Sequence, residues 1–123
     1  MITGILKEYG DENRVAMLPG EAAGLKKLGA EVLVEINAGV NAFAADEEYE
    51  KAGVIPTLRK DIFPRSELLL SVNPVPEDDL KLCREGQVLC SVVNPGENAK
   101  WLEKARLQGL TVLALDIIPR TTR

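Results

Sequence analysis

The chain has 123 residues, 46% hydrophobic and 28% charged, the size and composition of one soluble globular unit rather than a fibre or a disordered tail. Its 15 basic residues against 19 acidic ones leave a net charge of −4 with no basic stripe, which argues against nucleic-acid binding. There is no histidine, which removes Ser-His-Asp and Cys-His catalysis and His-ligated zinc.

Aromatic residues make up only 4%, so the core must be aliphatic. Residues 2–6 are a short apolar run ahead of charge and predict a first strand, followed by a polar loop over 7–13 that carries Gly10. Residues 19–28 predict a helix. Pro19 suits its first turn, Leu25 and Leu28 share a face, and Gly29 supplies the stop. Residues 31–36 are aliphatic and predict a second strand, and 37–45 a loop of small residues. Asp46 is placed to N-cap a short acidic helix ending at Gly53.

Residues 54–57 read as a brief strand weakened by Pro56, and 58–66 as a helical turn and loop. The run 67–72, with three consecutive leucines, suits a strand buried on both faces. A proline-rich loop over 73–76, a short helix over 77–84 and a buried strand over 87–93 follow. Asn94-Pro95-Gly96 forms a turn, 98–108 a helix stopped by Gly109, and 110–115 the last strand. Strand and helix alternate with short connections. The expected fold is α/β: a three-layer, Rossmann-like or flavodoxin-like, open and mostly parallel sheet with helices on both faces.

Residues 1–8 contain Gly4 and charges, unlike a signal peptide, and no apolar run approaches the roughly 20 residues of a membrane span. Direct membrane insertion is not expected. Cys83 and Cys90 fit neither a C-x-x-C pair nor a zinc site, and read as buried, reduced thiols.

Open parallel sheets bind ligands at the carboxyl ends of their strands. The first strand ends near Lys7 and leads to Arg14, the Leu-rich strand ends at Asn73, the next at Asn94, and the last at Asp116, running on to Arg120. The expected crevice therefore gathers Arg14, Arg120, Asn73, Asn94 and Asp116. Arginine offers a planar fork to carboxylate, phosphate or amide groups, and asparagine fixes an amide or hydroxyl. Simpler roles compete. Arg14 can be a solvated loop residue, and Asn73 and Asn94, each followed by proline, can be turn formers. The glycines nowhere fit G-x-G-x-x-G, and there is no Walker A stretch.

Four stretches carry a family resemblance: residues 4–8 (GILKE), 12–19 (ENRVAMLP), Ala38-Gly39 with the acidic segment 46–53, and 116–120 (DIIPR). Together they resemble the N-terminal domain of the alanine dehydrogenase and nicotinamide nucleotide transhydrogenase family, over the whole chain, 1–123. The transhydrogenase branch is the nearer, by resemblance. Asn73 stands where alanine dehydrogenases carry a substrate-binding lysine, Asn94 where they carry a catalytic histidine, and D-x-x-P-R is typical of transhydrogenases. Asn94 and Ser71 depart from both patterns: transhydrogenases often have a bulkier residue at the first position, and a lysine is common in both branches at the second.

The resemblance implies an NAD(H)-binding alpha component of a proton-translocating transhydrogenase, moving hydride from NADH to NADP+. It further implies a homodimer in the cytoplasm, peripheral to the inner membrane through membrane and NADP-binding subunits. Arg120 matches the arginine that reaches the nicotinamide end. Family members continue past this point into a second, Rossmann-type domain, so the chain is expected to be a fragment holding part of the NAD(H) pocket and inactive alone. Hydride transfer needs two rings held close and water excluded, a task suited to amides and guanidinium groups. An amine–carbonyl dehydrogenase needs a proton carrier too, and Lys7 is the only lysine expected near the crevice. An alanine-type amino-acid dehydrogenase and a non-catalytic binding or dimerisation module are the alternatives.

Overall fold

The computed structural model describes residues 1–115, so Asp116 and Arg120 lie outside the described residues. Six strands form one sheet: β1 (Ile2–Ile5), β2 (Glu31–Glu35), β3 (Ile55–Thr57), β4 (Leu68–Leu70), β5 (Val88–Ser91) and β6 (Thr111–Ala114). Their order is β3-β2-β1-β4-β5-β6. Every pair is parallel, so the sheet is wholly rather than mostly parallel among the described residues. The chain winds outward from β1 to β3, returns beside β1 as β4, and winds the other way. The strand order reverses between β1 and β4, which is where doubly wound sheets open a ligand crevice.

Four helices connect the strands: α1 (Pro19–Lys27), α2 (Asp46–Lys51), α3 (Arg59–Arg65) and α4 (Ala99–Leu107). The period of two splits the aliphatic residues between two cores. Ile5, Val32 and Val34 pack with Ala22 of α1 and Tyr49 of α2. Leu6, Leu33, Leu69 and Leu89 pack with Ile62 and Phe63 of α3 and Trp101 and Ala105 of α4. Helices thus cover both faces, as expected for strands buried on each side. The cover is uneven, however. On the α1/α2 side, Val88 and Cys90 of β5 are only half-buried and Leu113 of β6 is 45% exposed.

Two local expectations are corrected. Asp46 is not the N-cap but the first residue of α2, whose cap is Ala45. Its carboxylate instead accepts the Asn37 N–H at 2.9 and 3.3 Å, holding the left-handed turn (φ 66°) that follows β2. Residues 77–82 form a 3₁₀ helix, Glu77–Leu82, rather than an α-helix. The connector closes on i→i+3 bonds at both ends, from the Asp79 N–H to the Pro76 carbonyl at 2.9 Å and from the Cys83 N–H to the Leu80 carbonyl at 3.1 Å. Pro56 is accommodated because β3 is an edge strand. Cys83 is buried and Cys90 half-buried, both as free thiols, and burial pushes Cys83 up to about 11 and Cys90 upward as well.

Tyr49 ties α2 to the loop before α1. It is fully buried and its hydroxyl donates to the Met17 carbonyl at 2.6 Å. Burial, with Glu21, Asp46 and Glu48 nearby, pushes its phenol up to about 12. The folded value exceeds the unfolded one near 10, so this stability is intact below pH 10 and lost as pH rises through about 12. Tyr49→Phe is expected to cost about 0.5–1.5 kcal/mol at neutral pH and to blunt alkaline unfolding, read by circular dichroism against pH. Equal alkaline midpoints in the two proteins would contradict the assignment.

Candidate functional site

The crevice is built where β1 and β4 end side by side. The Leu6 N–H donates to the Leu70 carbonyl at 2.9 Å, carrying the pairing to the sheet edge. Beyond it the main chains part, and side chains take over. The Glu8 carboxylate accepts the N–H of Val72 at 2.8 Å and of Asn73 at 3.0 Å, stitching the two exits together. Burial raises the Glu8 pKa, and the two N–H donors oppose that rise without cancelling it.

Glu12 makes the second stitch. Arg14 grips it with both prongs, Nε to Oε2 and Nη2 to Oε1, each at 2.8 Å. The Asn73 amide donates to the same Oε1 at 2.9 Å. Arg14 and Asn73 therefore meet on one carboxylate, although the Arg14 side chain is 72% exposed. The Arg14 hydrogen bonds hold Glu12 down to about 2. The folded value lies below the unfolded one, so this anchor is present at neutral and mildly acid pH and is lost as pH falls through about 2. Arg14→Met is expected to return the Glu12 midpoint toward the usual carboxylate range in a carboxyl-carbon NMR titration. A midpoint still near 2 would mean that Arg14 is not the cause.

Two clefts open here. One, of about 460 Å³, is lined by Lys7, Glu8, Tyr9, Gly10, Glu35 and Asn41. The other, of about 100 Å³, is lined by Lys7, Glu8, Tyr9, Arg59, Ser71 and Asn73, among others. Their floor is a charge network that sequence reading missed. Arg59 donates to Glu35 and to Asp79, each at 2.5 Å, and its side chain is only 17% exposed. Its guanidinium lies 4.8 Å from the centre of the Tyr9 ring and 5.1 Å from that of Phe63. Burial works against its charge, but the Asp79 hydrogen bond and the Glu35 and Asp79 charges more than offset it, so its pKa is raised.

Asn94 lies three residues beyond β5, one strand further out, and lines neither cleft. It takes a left-handed conformation (φ 52°), and its carbonyl accepts the N–H of Glu97 at 3.0 Å and of Asn98 at 3.2 Å. That is the turn-forming role. Of the five expected crevice residues, Arg14 and Asn73 are thus brought together, Asn94 is not among the lining of these two clefts, and Asp116 and Arg120 lie outside the described residues. Glu8 and Glu12 were legible only as parts of a motif. Arg59, Glu35 and Asp79 come from three distant segments and carry no local pattern.

The donor set fits one end of a nicotinamide dinucleotide better than its middle. An amide, an ammonium and carboxylates suit carboxamide and hydroxyl groups. A pyrophosphate finds no Gly-rich cradle, because β1 runs into a long loop rather than directly into a helix, and Glu8 and Glu35 line the cleft. No metal-binding group of three or more His, Cys, Asp or Glu occurs among the described residues.

The chain is 37% identical over 117 residues to the NAD(P) transhydrogenase subunit alpha of Cereibacter sphaeroides, covering 94% of this chain and 22% of that one. It is 31% identical over 120 residues to the alanine dehydrogenase of Bacillus subtilis, covering 96% and 32%. The crystal structure of the transhydrogenase from Sinorhizobium meliloti superposes on all of this chain and 37% of its own, with a TM-score of 0.94 and 32% identity. The chain thus spans about a fifth to a third of the curated relatives it matches. Residues 4–123 match the family described as alanine dehydrogenase/PNT, N-terminal domain, and the chain belongs to that family.

Proposed function

We propose that the chain is the N-terminal domain of the NAD(H)-binding component of a proton-translocating NAD(P) transhydrogenase, working in hydride transfer from NADH to NADP+. The observation that carries this reading is the Asn73 amide, anchored on Glu12 at the switch point of the sheet. By resemblance, an alanine dehydrogenase would present a lysine there. The chain also has no histidine to serve as its proton carrier. When bound, the cofactor would supply the hydride. The residues of this chain would do the rest: Asn73 and Lys7 would orient polar groups at the nicotinamide end, and Arg14 would hold Glu12, and through it the Asn73 amide, in place. Arg120 by resemblance, and Asn94 and Asp116 by their places at strand ends, belong to the same proposed pocket, completed by residues outside this chain.

The relatives are named as alpha subunits, which supports assembly with other subunits; docking on membrane and NADP-binding subunits, a homodimeric state and a cytoplasmic position peripheral to the inner membrane are part of the proposal by resemblance. No helix among the described residues is long and apolar enough to cross a membrane. The test uses the whole protein with its partner subunits. NADH should reduce an NADP+ analogue, and pyruvate with ammonium should not oxidise NADH. The opposite result would establish the amino-acid dehydrogenase reading, which the 31% identity to an alanine dehydrogenase favours.

A further inference from the structure

Lys7, Glu8 and Tyr9, which follow Leu6 beyond the end of β1, are pinned one by one, and two of the three lead to the same guanidinium. The Lys7 N–H donates to Glu35 Oε1 at 2.9 Å, the oxygen that Arg59 also holds. Glu8 is fixed to the β4 exit through Val72 and Asn73. The Tyr9 hydroxyl donates to Asp79 Oδ2 at 3.2 Å, the oxygen held by the other Arg59 nitrogen, and its ring stacks on that guanidinium. What remains uncommitted is the Lys7 side chain. It is exposed, lines both clefts, and its ammonium makes no ion pair among the described residues.

We propose that Arg59 is a positioning residue that fixes the β1 exit so that the Lys7 ammonium faces the ligand in the crevice. The chemistry at that spot selects a neutral oxygen. Glu8 and Glu35 line the larger cleft beside Lys7 and disfavour a free anion, whereas a carbonyl or hydroxyl oxygen can accept from the ammonium while its neighbours meet carboxylates. A planar fork is needed for the task. It holds two carboxylates from two separate nitrogens while its flat face lies over a ring, a geometry that the compact lysine ammonium does not reproduce. The proposal rests on the nicotinamide-cofactor reading for the identity of the ligand, but its geometric part is independent of it.

The test uses the whole protein and three variants: Lys7→Met, Arg59→Lys and the double variant. Arg59→Lys keeps the charge, so the fold is kept while the fork is lost. Amide exchange at Lys7 is expected to quicken about tenfold or more in Arg59→Lys, with exchange in β5 and β6 unchanged as internal reference. Unchanged exchange at Lys7 overturns the proposal. Lys7→Met is expected to weaken NADH binding about tenfold, the scale of one lost charged hydrogen bond. Arg59→Lys should weaken it severalfold, and the double variant no further than Lys7→Met. Additive losses, or a Lys7→Met protein with wild-type affinity, overturn it as well. If the wild-type protein binds no NADH while Lys7 exchange still responds to Arg59→Lys, the positioning stands and it is the cofactor reading that fails.

Discussion

Arg59→Met is expected to destabilise the fold by about 3–5 kcal/mol, the usual consequence of removing one partner from a buried charge pair. Arg59 neutralises two carboxylates at once, and both are mostly buried: the Glu35 side chain is 12% exposed and that of Asp79 18%. Without the guanidinium these acids lose their shared cation and face each other across its empty site. Glu35 keeps a bond from the Lys7 N–H and Asp79 one from the Tyr9 hydroxyl, so hydrogen bonding is only partly lost and the main cost is charge. For a chain of this length that amounts to a fall in melting temperature of roughly 10 °C or more. A further result follows from the same cause. Adding Glu35→Gln to Arg59→Met should recover part of the loss. Urea unfolding at neutral pH measures both. A neutral-pH loss below about 1 kcal/mol would place the network in the class of solvent-screened surface pairs.

This network also marks the limit of what the sequence could disclose. The elements were legible because each is set locally. Three consecutive leucines cannot alternate with polar residues, so β4 had to be covered on both faces, and Leu69 does pack with α3 and α4 while Leu70 packs toward α1 and α2. Gly29 and Gly109 end α1 and α4 in left-handed turns (φ 101° and 79°) that other residues rarely adopt. Arg14 and Asn73 were legible as candidates because strand ends define the crevice of a parallel sheet. What links them was not. Glu12 sits two residues from Arg14, yet its partner Asn73 lies 61 residues on. Glu35, Arg59 and Asp79 meet only because β2, α3 and the 3₁₀ helix converge beneath the sheet edge. Asp46 shows the opposite failure. A local capping rule selected it, and a tertiary demand, the left-handed turn at Asn37, took its side chain instead.

The geometry also bears on how so acidic a crevice could serve the proposed cofactor. Glu8, Glu12, Glu35 and Asp79 are structural anchors here, each bonded to main-chain N–H groups or to arginine or asparagine side chains. Their charge is engaged before any ligand arrives, and they leave amide and ammonium donors facing outward. A site of this kind would orient a ligand, one of the contributions that the proposed hydride transfer asks of a protein.

Gly4→Ala is expected to cost about 2–5 kcal/mol and, through α3, to loosen the same network. Gly4 lies in the middle of the sheet, in register with Leu33 of β2 and Leu69 of β4. A methyl group there would overlap Ser66 Oγ and come within 3.0 Å of Ile62 and 3.2 Å of Leu69. Ser66 has little room to yield. It is fully buried, its hydroxyl donates to the Ile62 carbonyl at 2.7 Å, and its own carbonyl accepts from the buried Gln87 amide at 2.8 Å. Overpacking of this kind costs about 1–3 kcal/mol, and a buried hydroxyl forced off its acceptor about 1–3 more. The relief available is for α3 to move away from β1, which draws Arg59 off Glu35 at the other end of that helix. The variant should therefore melt well below wild type and also show faster amide exchange at Lys7, although residue 4 touches no part of the crevice. Ser66→Ala removes the overlapping oxygen and should restore much of both. A Gly4→Ala protein that melts within about 2 °C of wild type would show that α3 is not seated against β1 by the absence of this side chain.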